Sequence, residues 1–161
     1  MKMFFQHKYL LMIAAWMIIT SVLGGLATEI GPWYFSLKQP DWKPPDWAFG
    51  VIWTAIFILS ATAWMISFNA RPTQSQKISL VGLFLTNGFL NVLWSVFYFR
   101  MHRPDWSLIE AGFLWLSVLA IMAVMWPIRK LAAYLMLPYL IWVSIAMRLN
   151  WETLVLNPGA Y

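Results

Sequence analysis

The chain has 161 residues, 61% of them hydrophobic and only 11% charged, with a formal net charge of +5. A soluble domain carries about 25% charged residues, and a chain this short has too little interior to hide so much apolar surface. A soluble globular fold is therefore excluded, and with no Cys and no HExxH-type pair of His, so are disulfides, thiolate metal sites and zinc protease chemistry.

The first apolar run covers residues 9–28. Lys2 and Lys8 precede it and Gly24-Gly25-Leu26-Ala27 supplies small residues, as in a signal peptide. The run exceeds the ~7–15 apolar residues of such a segment, so we read it as a retained first span. Four more follow, at 46–68, 78–99, 106–127 and 131–154. Each is near the ~20 residues that cross a hydrocarbon core, where helix is the open-chain way to satisfy the backbone. The expectation is one domain over residues 1–161, an all-α integral membrane protein built as a bundle of five transmembrane helices.

The later links, "NARPTQSQK", "RMHRPD" and "PIRK", are short and force neighbouring helices antiparallel. Pro127 and Pro138 are expected to end or kink their helices. No internal repeat supports a paired-half transporter. Basic residues cluster at the ends of the runs, where headgroups lie, which explains the charge without nucleic acid. They divide six against five: Lys2, Lys8, Arg71, Lys77, Arg129 and Lys130 oppose Lys38, Lys43, Arg100, Arg103 and Arg148. That narrow margin places the N-terminus inside.

The first link, residues 29–45, is unlike the others. With the start of the second span it reads "WYFSLKQPDWKPPDWAFGVIWT". Pro40, Pro44 and Pro45 disfavour helix and hold the backbone extended. Asp46 follows as a candidate N-cap. Trp33, Tyr34, Trp42 and Trp47 then sit on or beside a stiff loop. Two readings fit: an aromatic belt at the lipid boundary, or a rigid lid over the mouth of the bundle.

Three helix faces carry matching features. Asn87, Asn91, Trp94 and Tyr98 share one face of the third span. Tyr139, Trp142, Ala146 and Asn150 share one of the fifth, and Asp46, Gly50, Trp53 and Phe57 align on the second. Amides are costly against lipid, so these faces point inward. They could wall a pocket for a flat, mostly apolar molecule, or serve as interhelical glue through Asn–Asn bonds and aromatic packing.

These residues resemble the TspO/MBR family, which includes the tryptophan-rich sensory proteins of bacteria and the mitochondrial translocator protein. The carrying stretches are the one quoted above, "TNGFLNVLWSVFYF" and "LPYLIWVSIAMRLNWETLVLN". With the five spans they cover nearly the whole chain. The resemblance implies a multi-pass protein of a bacterial cell membrane that binds porphyrins, haem and related tetrapyrroles such as protoporphyrin IX, and isoquinoline-type drugs. It implies a homodimer among membrane lipids, with no required cofactor, no metal and no nucleic acid. Carried over by motif, the binding residues are Tyr34, Pro44, Phe49, Trp53, Asn91, Trp94, Trp142 and Ala146, with Trp33 anchoring the lid. Light-dependent porphyrin breakdown is a further implication. It needs no acid–base residues, and Trp53 and Trp142 are the candidate electron donors. Transport of porphyrin or sterol is the alternative function.

Two departures from the family pattern matter. Its Lys-Pro in the lid is Gln39-Pro40 here. Its terminal sterol motif reads "LNWETLVLN", with Trp151 for Tyr and no following basic residue, so cholesterol binding is discounted. Elsewhere, Glu110 in the fourth span is expected to pair with Arg148. Arg100, His102 and Arg103 are expected to meet headgroups, with His102 too solvated to ligate haem. Gly24-Gly25 and Gly82 are read as sites of close helix contact.

Overall fold

A computed structural model describes residues 2–161, and side chains from residue 9 onward. Lys2, His7 and Lys8 therefore lie outside the described side chains. The elements are α1 (Lys2–Ala27), a short α2 (Pro32–Ser36), α3 (Asp46–Asn69), α4 (Gln74–Ser95), α5 (Pro104–Ile128), α6 (Lys130–Leu135) and α7 (Leu137–Leu156). A π-helical turn, Val96–Arg100, continues α4. Five segments are long and apolar enough to cross a membrane: Tyr9–Ala27, Asp46–Asn69, Gln74–Arg100, Pro104–Ile128 and Lys130–Leu156. The chain is a multi-pass, all-α integral membrane protein.

Local chemistry explains the boundaries. Thr73 and Gln76 form a reciprocal capping box that starts α4. Pro104 occupies the first turn of α5, where its missing N–H costs nothing. Pro127 lies in the last turn of the same helix, and the chain turns extended at Arg129. Pro138 begins α7 after a break at Met136, so the last span is two helices end to end. Asp46 is the first residue of α3, but Pro45 holds the cap position and no side chain caps the helix. The expected Asp46 cap is thus corrected: its carboxylate is taken by Tyr34 and Lys43.

The helices close into a ring. α5 packs on α4 and α7, α4 on α1, α1 on α3, and α3 returns to α6. Lipid is as apolar as the side chains, so packing and hydrogen bonds, not water exclusion, hold such a ring. The half away from the first link is solid. Trp64 stacks flat on Phe84 at 4.1 Å, and Trp16 meets both edge-on at 5.8 and 5.1 Å. Its indole N–H donates to the Phe84 carbonyl at 2.7 Å. This needs α1 and α4 very close, and Gly88 provides it. A Cβ there would stand 2.7 Å from both Thr20 Oγ1 and Trp16 Nε1. The glycines expected to make close contacts do not: a Cβ at Gly25 or Gly82 would meet no described atom within 4 Å, and one at Gly24 only Asn91 Oδ1 at 3.8 Å.

Candidate functional site

The other half of the ring is hollow. A cavity of about 490 Å³ lies between α1, α3, α4 and α7 beneath the first link. Its wall includes Tyr34 from the link, Phe49 and Trp53 from α3, Asn91 and Trp94 from α4, and Ala146 from α7. These are six of the nine residues named from the sequence. The other three stand behind the wall. Trp142 is buried against Phe49, edge to face at 5.5 Å. Pro44 is half-buried, and its carbonyl accepts from Lys43 Nζ at 3.3 Å. Trp33 lies flat on His102 at 4.2 Å and edge-on to Tyr98 at 5.9 Å.

The link behaves as a fastened cover. Asn157, just past α7, grips the Lys38 peptide from both sides: Lys38 N–H donates to its Oδ1 and its Nδ2 donates to Lys38 O, each at 2.8 Å. Trp42 Nε1 donates to Glu152 Oε2 at 2.6 Å, and Trp33 Nε1 to Ala160 O at 3.4 Å. Underneath, Tyr34 O–H donates to Asp46 Oδ1 at 2.7 Å. Burial first, and then this bond, raise the Tyr34 phenol above its ordinary pKa of 10.0, so it stays neutral and donating. Lys43 bridges to Asp46 with its ammonium 5.6 Å from the Tyr34 and Phe49 ring centres. The belt reading keeps two exposed members, Trp42 at 45% and Trp47 at 72%, although Trp47 also borders the cavity.

Below the cover runs a thread of buried polar groups. Asn91 Nδ2 donates to Tyr139 O–H at 3.2 Å, and Tyr139 donates to Asn87 Oδ1 at 3.1 Å. Asn87 Nδ2 donates to Ser117 Oγ at 2.9 Å, and Ser117 to the Leu114 carbonyl at 2.7 Å. Asn150 Nδ2 donates to Ser107 Oγ at 2.7 Å. The amides thus act partly as glue, through Tyr and Ser rather than through each other, while Asn91 and Asn150 also face the cavity. Each bond spares a buried group an unsatisfied cost of roughly 1–3 kcal/mol.

Several residues of the site escaped the sequence reading. The π turn widens α4 so that Phe99 turns inward as well, beside Trp94 and the expected Tyr98. Gln39 and Lys43 reach the cavity from the cover, and Ser21, Gly24 and Gly25 from α1. The Glu110–Arg148 pair does not form. Arg148 points outward and bridges to Glu152 one turn on, at 2.7 Å. Glu110 is 4% exposed, and neither carboxylate oxygen has a hydrogen-bond partner among the described residues. The basic link is also internally committed: Arg100 pairs with Glu29 and Arg103 with Asp105.

The sequence profile of the TspO/MBR family matches residues 10–156. The chain belongs to the TspO/MBR family. Among its relatives, protein CrtK of Rhodobacter capsulatus is 36% identical over 130 residues, 80% of this chain and 81% of that protein. Tryptophan-rich protein TspO of Chlorobaculum tepidum is 32% identical over 158 residues, 95% of this chain and 100% of its own. The translocator protein of Sus scrofa is 31% identical over 121 residues, 74% of this chain and 71% of its own. TspO/MBR membership fits the five-span ring, and the bacterial relatives fit the expected bacterial membrane.

Proposed function

We propose that this TspO/MBR chain binds a flat, largely apolar tetrapyrrole, protoporphyrin IX or haem, in the covered cavity. The observation that carries the proposal is the wall: Tyr34, Phe49, Trp53 and Trp94 supply aromatic faces around about 490 Å³, with the Asn91 amide among them. The volume falls within the roughly 300–1,000 Å³ of small-molecule sites. Rings already fixed by neighbours lose little freedom on binding: Trp53 stacks on Phe57 at 5.6 Å and Trp94 on Tyr98 at 5.2 Å. No described His lies on the wall, so stacking and amide bonds would hold the ring system. The same features suit isoquinoline-type drugs. A homodimer remains part of the proposal, by family resemblance.

Titration of tryptophan fluorescence with protoporphyrin IX tests this. Saturable quenching at micromolar ligand is expected, and its removal by Ala146→Phe, which fills the cavity from α7. No quenching of the wild-type protein at that concentration would refute the proposal.

A second reading, light-driven porphyrin breakdown, is favoured by the position of Trp53 on the wall and Trp142 directly behind Phe49. An excited porphyrin in the cavity would draw one electron from an indole, leaving an indole radical cation and a porphyrin radical anion, and dissolved dioxygen would be the oxidant that the breakdown consumes. Porphyrin loss under light should slow in Trp53→Phe or Trp142→Phe. An unchanged rate in both rules out these donors. Transport, which the name of the translocator protein of Sus scrofa evokes, would require flux of labelled haem into proteoliposomes above a leak control.

A further inference from the structure

We propose that the cavity is loaded sideways from the bilayer, through a slot between the cover-side halves of α1 and α3, by molecules that partition into lipid. This rests on the cavity being the ligand site. The two helices meet at their other ends. Tyr9 packs on Phe68 at 4.8 Å, and Trp16 on Trp64 and Phe57 at 5.8 and 5.9 Å. Towards the cover, the facing positions hold small residues: Ser21 and Gly25 on α1, Gly50 and Thr54 on α3. All four line the cavity, and all four are exposed. Small, exposed residues facing each other on two neighbouring helices mark where the cavity wall is thinnest. A Cβ added at Gly25 or at Gly50 would meet no described atom within 4 Å, so the slot is real space rather than a seam.

The edges of the slot are dressed for hydrocarbon. Ser21 O–H donates to the Met17 carbonyl at 2.7 Å, and Thr54 O–H to the Gly50 carbonyl at 2.7 Å. Each hydroxyl is spent on its own helix, so neither leaves a donor unsatisfied against lipid. Both edges belong to membrane-length segments, Tyr9–Ala27 and Asp46–Asn69. Facing the slot, then, are acyl chains and whatever is dissolved among them. The aqueous approach is the guarded one, because the cover is held by Asn157, Glu152 and Ala160. The ligand class that fits is a planar apolar body that partitions into lipid, with any polar substituents confined to one edge.

The test uses protoporphyrin IX dissolved in phosphatidylcholine vesicles and mixed with the full-length protein in liposomes, with tryptophan quenching followed by stopped flow. Gly25→Phe and Gly50→Phe each place a ring across the slot. Association and dissociation rate constants should fall together, by about tenfold or more, as expected when a gate rather than a contact is changed. Asn157→Ala, which frees the cover, should leave both constants within about twofold. A second block is installed after folding. The chain has no native Cys, so Gly25→Cys can be capped selectively with pyrene maleimide. The capped protein should exchange as slowly as the Phe variants, at least about tenfold more slowly than the same protein before capping. Wild-type association in the capped protein, or faster association confined to Asn157→Ala, would overturn the slot while leaving the cavity as the ligand site. Absence of quenching in the wild type would overturn the ligand reading itself, and the slot with it.

Discussion

Gly88→Ala is the most direct test of how α1 and α4 are joined. The new methyl would lie 2.7 Å from Trp16 Nε1 and from Thr20 Oγ1, and 3.3 Å from Trp16 Cδ1. Carbon–carbon contacts want about 3.5–4.0 Å, so the indole has to move by the better part of an ångström. It has nowhere to go, with Phe57, Trp64 and Phe84 packed edge-on around it at 5.9, 5.8 and 5.1 Å. Overpacking of this kind costs roughly 1–3 kcal/mol. Displacing the ring also weakens the bond to the Phe84 carbonyl, worth about 1 kcal/mol. The gain in helix propensity returns at most about 1 kcal/mol. The net loss is about 1–3 kcal/mol, or roughly 2–12 °C in Tm for a chain of this size. Thermal unfolding in detergent, followed by near-ultraviolet circular dichroism, measures it. Gly82→Ala is the matched control, since its methyl meets no described atom within 4 Å. If Gly88→Ala melts at or above Gly82→Ala, the close approach of α1 and α4 described above is wrong.

Three further outcomes follow from the site. Asn157→Ala removes both bonds to the Lys38 peptide, at roughly 0.5–1.5 kcal/mol each, so hydrogen exchange over residues 33–43 should quicken by about tenfold or more with little change in α5. Equal protection in both proteins would refute the fastening role. Tyr139→Phe severs the thread between Asn91 and Asn87 and strands two buried amide groups, so Tm should fall by roughly 2–8 °C. An unchanged Tm would mean the amides find other partners. The Tyr34 phenol has a pKa raised in the folded state, so its contribution is complete below the ordinary value of 10.0 and is lost as pH climbs through the higher folded value. Exchange of the cover should therefore show no Tyr34-dependent change at neutral pH and a rise only in strong alkali. Tyr34→Phe should abolish that rise, and a Tyr34-dependent change near neutrality would contradict the sign.

The spans were legible because crossing a bilayer demands length and apolarity together, and little else in a sequence does. The inward faces of α3, α4 and α7 were legible because Asn and Trp recur at helical spacing against an apolar ground. The rest left no such mark. Ser21 and Gly25 line the cavity by being small, and small residues carry no period of their own. Phe99 joins Tyr98 because one turn of α4 is π-helical, which shifts register without altering composition. Glu110 looked like half of an ion pair because Arg148 lies near the same end. But Arg148 emerges on the outer face of α7, within a turn of Glu152, and that local partner wins. The same held for Asp46, whose carboxylate chose Lys43 and Tyr34 over the free amides of its own helix.

The stacked Trp64–Phe84 pair, with Trp16 driven in beside it, gives the ring a floor. Its interior is a cup, not a conduit. A guest entering by the proposed slot would meet three aromatic rings before it reached the other leaflet, and would return to the leaflet it left. Residence, exchange and chemistry can all happen in such a vessel. Passage from face to face would first require the floor itself to come apart.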